Sequence, residues 1–246
     1  MTGDFRAVFW KEWKEIVLER SGRGSATFRP LIVVVMLGIV APLRINPESF
    51  FTPFPLLIYS FFSAVVVTAV ISDSFAGERE RHTLETLLAT RLSDRAILFG
   101  KVAASIVYGW MFSILCVLVG AITSNASHWQ GRLVFFHDAA SWLLLLLGPP
   151  LAAAMVAAAG VLVSIRASTV RSAQQTLMIG FMVLFLGTVF GANALPTEWK
   201  IRITRFLAAW SPTELVLANT GLVLVIDLAL VAAGMARFQR AKLILD

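Results

Sequence analysis

The chain has 246 residues, 58% of them hydrophobic and only 15% charged, against about 25% charged in an ordinary soluble domain. Its charges are clumped, and the apolar stretches between clumps reach roughly 18 residues or more, enough to cross about 30 Å of hydrocarbon. That excludes an ordinary soluble domain; the single cysteine, Cys116, excludes a disulfide framework within the chain, and the net charge of +6 reads as membrane-loop charge rather than a nucleic-acid surface.

Residues 4–20, DFRAVFWKEWKEIVLER, place Phe5, Val8, Phe9, Trp13, Ile16 and Val17 on one helical face and Arg6, Lys11, Glu12, Lys14, Glu15 and Glu19 mainly on the other. Such a segment is too charged to span and suits the membrane interface. With six basic and four acidic residues in the first 30, a cleaved signal peptide is not expected. Ser21-Gly22-Arg23-Gly24-Ser25 breaks the helix. The first predicted span, 27–43, is short unless Arg29 snorkels to the headgroups. Residues 44–55 carry three prolines and read as a loop, and the second span covers 54–75.

Residues 77–90, GERERHTLETLLAT, form a charged, helix-forming insert. Ser93 or Asp94 can cap a third span over 96–123. Residues 124–138 read as a loop with a short interfacial piece at 133–136. The fourth span, 139–165, contains Gly148-Pro149-Pro150, which predicts a kink or break. Its second half, LAAAMVAAAGVLV, is rich in small residues that admit close helix approach. A polar loop over 166–175, a fifth span over 176–194, a partly apolar connector over 195–214 and a sixth span over 215–236 complete the chain, before the basic tail RFQRAKLILD. The fold class is therefore all-α and polytopic, one domain of six transmembrane helices.

Six spans put both ends on one side. Placing them inside assigns 16 of the 21 Lys and Arg to inner segments and 5 to outer loops, so both termini are expected on the cytoplasmic side of the cell (inner) membrane. Trp10 and Trp13 then fall at the inner boundary, and Trp129, Trp142, Trp199 and Trp210 near the outer one.

The residues with chemistry are few. In the 77–90 insert, Leu84, Leu87 and Leu88 recur at i, i+3, i+4 and form an apolar ridge bordered by Glu78, Arg79, Glu80, Arg81 and Glu85. Such a helix docks in a groove on another protein or lies on the membrane as a connector; the pattern serves both. Gly100-Lys101 is not a nucleotide loop of the form G-x-x-x-x-G-K-[ST], since Arg95 and Val102 stand where Gly and Ser or Thr are required. Asp227 lies mid-span, where an unpaired carboxylate costs about 3 kcal/mol or more, and reads as a pathway acid, as a neutral group bonded to a neighbouring helix, or as a residue nearer water in a shorter span. Asp73 ends the second span as a solvated charge or a partner for Arg79. His82, His128 and His137 lie on different loops, and no metal site is expected. Asn125-Ala126-Ser127 matches a glycosylation tripeptide, as short patterns do by chance.

Three stretches carry a resemblance. AGERERHTLETLLATRLSDRAILFGK, residues 76–101, resembles the cytoplasmic loop of type-2 ATP-binding-cassette (ABC) exporter permeases. VSIRASTVRSAQQ, residues 163–175, is similar to the loop after that family's fourth span. LPTEWKIRITRFLAAWSPT, residues 195–213, is similar to the connector before its last span. The sequence departs from the pattern at Arg91-Leu92-Ser93-Asp94-Arg95, where many members carry Pro-Val-Ser-Arg, and it has no large extracellular insert between the first two spans.

The resemblance implies a compact permease domain with an amphipathic elbow helix, a cytoplasmic coupling helix and a re-entrant outer hairpin over 195–214. It implies that His82, Thr83, Leu84, Leu87 and Leu88 sit on a separate cytosolic ATPase subunit, oriented by Glu78, Arg79, Glu80 and Glu85, and that the elbow touches the same partner through Phe9, Trp13 and Ile16. It further implies a second permease copy, identical or not, facing this one in the bilayer across the substrate pathway. ATP and Mg would be bound by the ATPase, and no cofactor by this chain. The rival expectations are an intramembrane enzyme, for which Asp227 lacks an evident partner, and a non-transporting anchor or sensor.

Overall fold

The computed structural model describes residues 2–19, 24–83, 91–129 and 131–237. Four of the predicted coupling residues, Leu84, Glu85, Leu87 and Leu88, lie outside that set. The described chain is helical throughout, with no strand. In order it forms α1 (Thr2–Lys14), continued by a π-turn over Glu15–Glu19, and then α2 (Gly24–Val35), which passes through a second π-turn at Met36–Val40 into α3 (Ala41–Arg44). A one-turn α4 (Pro47–Phe50) leads to α5 (Pro53–Ser72), which runs on through Asp73–Gly77 into α6 (Glu78–Glu80). α7 (Asp94–Ser127), α8 (Ala139–Ser164), α9 (Val170–Ala194), α10 (Thr197–Ala208) and α11 (Pro212–Arg237) follow.

Five described helices are long and apolar enough to cross a bilayer: Pro53–Glu80, Asp94–Ser127, Ala139–Ser164, Val170–Ala194 and Pro212–Arg237. Pro30–Arg44 is a shorter apolar helix. The chain is a multi-pass membrane protein.

The centre is α5, packed against α8 and α7, with α1 on α7, α9 on α5 and α8, and α11 along α8. Small residues set the distance between α5, α7 and α8. A methyl added to Gly109 would lie 2.6 Å from Val67 Cγ2, and one on Gly148 would lie 2.7 Å from Ser60 Oγ. With no hydrophobic drive between helices in lipid, such close backbone approach is the main source of association. The two prolines do not break α8, which is helical from Ala139 to Ser164. Ser63 Oγ donates to the Pro149 carbonyl (3.3 Å) and ties α5 to the proline step.

Several boundaries differ from the sequence expectation, each for a local reason. The 44–55 loop contains α4, whose Phe50, with Phe51 behind it, is buried among Leu56, Tyr59, Phe112 and Leu144. Residues 131–138 form no helix; the Asn125 amide brackets them, accepting from Val134 N–H (2.8 Å) and donating to its carbonyl (3.1 Å). The polar 166–175 loop is short, because Thr169 Oγ1 accepts from Ser172 N–H (3.2 Å) and starts α9 at Val170. α11 begins at Pro212 through a capping box. Ser211 N–H donates to Glu214 Oε2 (2.7 Å), and Glu214 N–H donates to Ser211 Oγ (3.3 Å). Ser93 caps α7 as expected, accepting from Ala96 N–H at 3.3 Å.

The largest revision concerns the charged insert. Glu78, Arg79 and Glu80 are not part of a separate helix but the last turn of the second span. That turn closes with His82 at φ 57°. Thr83 N–H reaches the Glu78 carbonyl (2.9 Å) and His82 N–H the Arg79 carbonyl (3.0 Å), the bond pair of a Schellman stop. A left-handed backbone at a residue with a Cβ costs about 1–2 kcal/mol, and a β-branched side chain tolerates it least. His82→Val is therefore expected to lower stability by about 1 kcal/mol, with His82→Gly at or above wild type, in thermal unfolding in neutral detergent. Equal melting of the Val and Gly variants would contradict this helix stop.

Candidate functional site

The chemistry gathers where α1 crosses the start of α7 and the end of the second span. Gly100 makes the crossing possible: a Cβ there would lie 2.7 Å from Val8 Cγ1 and 3.2 Å from Phe9 N. The next residue, Lys101, is fully buried, and its Nζ donates to Glu12 Oε1 (2.6 Å) and to the Ser74 carbonyl (2.9 Å). Glu78 Oε1 stands 2.9 Å away, and the ring of Phe75 lies 5.5 Å from the ammonium. Glu12 and Glu78 are 2% and 5% exposed.

Lys11 completes the group from its rim, 3.0 Å from Glu78 Oε1, 3.5 Å from Glu12 Oε1 and 3.2 Å from Glu15 Oε1. Burial disfavours its charge, but Glu78, Glu12 and Glu15 outweigh that cost and hold its ammonium well above the usual lysine range. Two cations thus share two buried carboxylates, and three separate stretches of chain are joined: α1, the end of the second span and the start of the third. Glu78 Oε2 is buried with no hydrogen-bond partner among the described residues.

This arrangement revises the face assigned to α1. Val8, Glu12 and Ile16, at i, i+4 and i+8, are the buried residues, so Glu12 points into the protein rather than toward water. Ile16 packs with Val70 and Ala104 and also faces inward. Phe9 and Trp13 are half-buried and stack on each other with ring centres 6.3 Å apart. Two sequence signals bear on the pair: a lysine at the head of an apolar run, and a glutamate in helical phase with Val8 and Ile16.

The other predicted site residues do not join this cluster. Arg79 donates to the Ala167 carbonyl (3.4 Å), and Glu80 accepts from Val170 N–H (3.1 Å). Both grip the turn between the fourth and fifth spans. Asp73 pairs with Arg81 (3.5 Å). His82 and Thr83 are exposed at the helix stop. Asp227 is far along the chain on α11, which buries only Asp227 and Gly234 of its own residues. Neither oxygen of Asp227 has a hydrogen-bond partner among the described residues.

Removing one member of a buried ion pair strands the other, at about 3–5 kcal/mol, whereas replacing both by apolar groups is close to neutral. Lys101→Met is expected to lose about 3–5 kcal/mol in thermal unfolding, and Lys101→Met with Glu12→Leu is expected to recover much of it. A single variant that melts like wild type would show that the pair does not hold α1 in place.

Residues 3–221 match the family model described as "ABC-2 type transporter". The curated relatives include the protein named "Probable multidrug ABC transporter permease YbhS" in Escherichia coli strain K12 and in Escherichia coli O157:H7. Each is 23% identical over 236 residues, covering 93% of this chain and 58% of the relative. The chain therefore spans little more than half the length of the curated relatives it matches. No solved structure matches it. A multi-pass helical bundle matched over most of its length, including the charged turn between the second and third spans, places the chain in the ABC-2 type transporter family.

Proposed function

We propose that the chain is the membrane-spanning permease subunit of an ABC exporter. It pairs with a second permease copy and is driven by separate cytosolic ATPase subunits that bind ATP and Mg. The observation that carries this reading is the ion-paired clamp of Lys101 with Glu12 and Glu78. The 84–90 segment follows Glu78 by only a few residues, so a push on it reaches α1 and α7 through charges that cannot separate cheaply. The ridge of Leu84, Leu87 and Leu88, with Glu85 beside it, is the proposed contact with the ATPase. His82 and Thr83 lead into it.

Burial of Glu78 and the engagement of Arg79 and Glu80 with the 165–170 turn give those three an internal role: they carry the push to the fourth and fifth spans. The elbow contact with the ATPase falls to Phe9 and Trp13, since Ile16 is turned inward. Both termini are proposed to be cytoplasmic, on the excess of Lys and Arg in that set of segments. The apolar lengths of α9 and α11 are almost wholly uncovered; they are available to the second copy and to lipid, and the α10 hairpin is proposed to cap the pathway on the far side. Asp227 is the pathway candidate. The cargo is proposed to be hydrophobic or amphipathic, from the apolar, small-residue second half of α8 and from the relatives' name.

Co-purification with a separately encoded ATPase tests the scheme. Leu87→Glu is expected to abolish ATPase association while leaving membrane insertion intact; a variant that forms the complex normally would remove the coupling role. For the pathway, Asp227→Asn is expected to slow transport in proteoliposomes by roughly the ten-fold that 1.4 kcal/mol represents. Transport at the wild-type rate would end the case for Asp227.

A further inference from the structure

An apolar groove of about 700 Å³ opens between α7 and α11 at the end of the bundle where α1 lies. α7 contributes Arg95, Phe99, Ala103 and Ile106, a single stripe at helical spacing. α11 contributes Val231 and Met235, and Phe5 of α1 closes the end. All of this wall is apolar except Arg95. That side chain is exposed and makes no hydrogen bond or ion pair among the described residues.

We propose that this groove binds one anionic phospholipid, with an acyl chain along Phe99, Ala103 and Ile106 and the phosphate at Arg95. Length supports this occupant. Arg95 to Ile106 spans roughly 16 Å of helix axis, about half of the ~30 Å hydrocarbon thickness, so the groove is one leaflet deep. Charge supports it too, because a lone cation at the mouth of an otherwise apolar slot between spans matches a lipid's order of groups: charged head, then chain. Basic sites between transmembrane helices are where anionic headgroups are held. A neutral lipid would leave Arg95 without a counter-charge. A protein segment would have to supply an anion at the mouth and an extended apolar stretch below it. The site does not depend on what the chain transports.

The test uses the full chain purified in neutral detergent, with phosphatidylglycerol and phosphatidylcholine of identical acyl chains as probes and retained lipid read by native mass spectrometry. Wild type is expected to retain phosphatidylglycerol about five-fold better, the worth of one basic residue near a headgroup. Arg95→Gln is expected to reduce it to the phosphatidylcholine level, whereas Arg237→Gln leaves the preference unchanged. Val231→Trp, which fills the slot, lowers retention of both lipids. Photoreactive benzoylphenylalanine in place of Phe99 is expected to crosslink a phospholipid. Equal retention of the two lipids by wild type, or an equal loss in Arg237→Gln, would overturn the proposal. So would crosslinking of position 99 to protein, whether within the chain or in a second copy.

Discussion

The one contact on which the α1 end of the bundle depends is the ammonium of Lys101 held between Glu12 and Glu78. Each charge in it has lost its water, a cost of several kcal/mol per ion that only close opposite charge repays. The group therefore adds little to net stability compared with an apolar core of the same shape. What it supplies is register. A one-turn slip of α1 moves Glu12 about 5.4 Å from Lys101 and leaves two buried charges uncompensated. Apolar contacts at Val8 and Ile16 alone would tolerate such a slip, because methyl groups pack against many neighbours.

Gly100 and Lys101 act as a unit in this. The glycine removes the side chain that would hold α1 away, and the lysine uses the approach so gained. The same division recurs deeper in the bundle. Gly109 and Gly148 admit α5 against its neighbours, and Ser63 then donates across the contact to the Pro149 carbonyl. Where lipid replaces water, packing distance and polar satisfaction are the two available sources of specificity, and each contact here uses both.

The bundle is uneven. α5, α7 and α8 carry the buried core, while α9 is attached near its first turns, through Ala173 and Leu177, and further along by Phe181 and Phe185 on Phe61. α11 lies on α8 alone among the strongly packed neighbours. A carboxylate, Asp227, occupies one of its two buried positions. Of these two outer helices, α9 follows directly from the turn that Arg79 and Glu80 hold, which links it to the clamp.

Composition and hydropathy alone determined the class: an all-helical, multi-pass bundle with short charged connectors, because only long apolar helices satisfy their backbone in hydrocarbon. The family followed from motifs in the charged turns. Helix starts with side-chain caps are local and legible in sequence, as at Ser93, Thr169 and Ser211. Only tertiary structure decided which face of α1 is buried, that the Glu78 turn belongs to the second span, and that Arg79 and Glu80 grip another loop. Amphipathic periodicity assigns charge to water by default. It cannot register that a lysine 89 residues away, reached over a glycine, makes burial of Glu12 the cheaper arrangement.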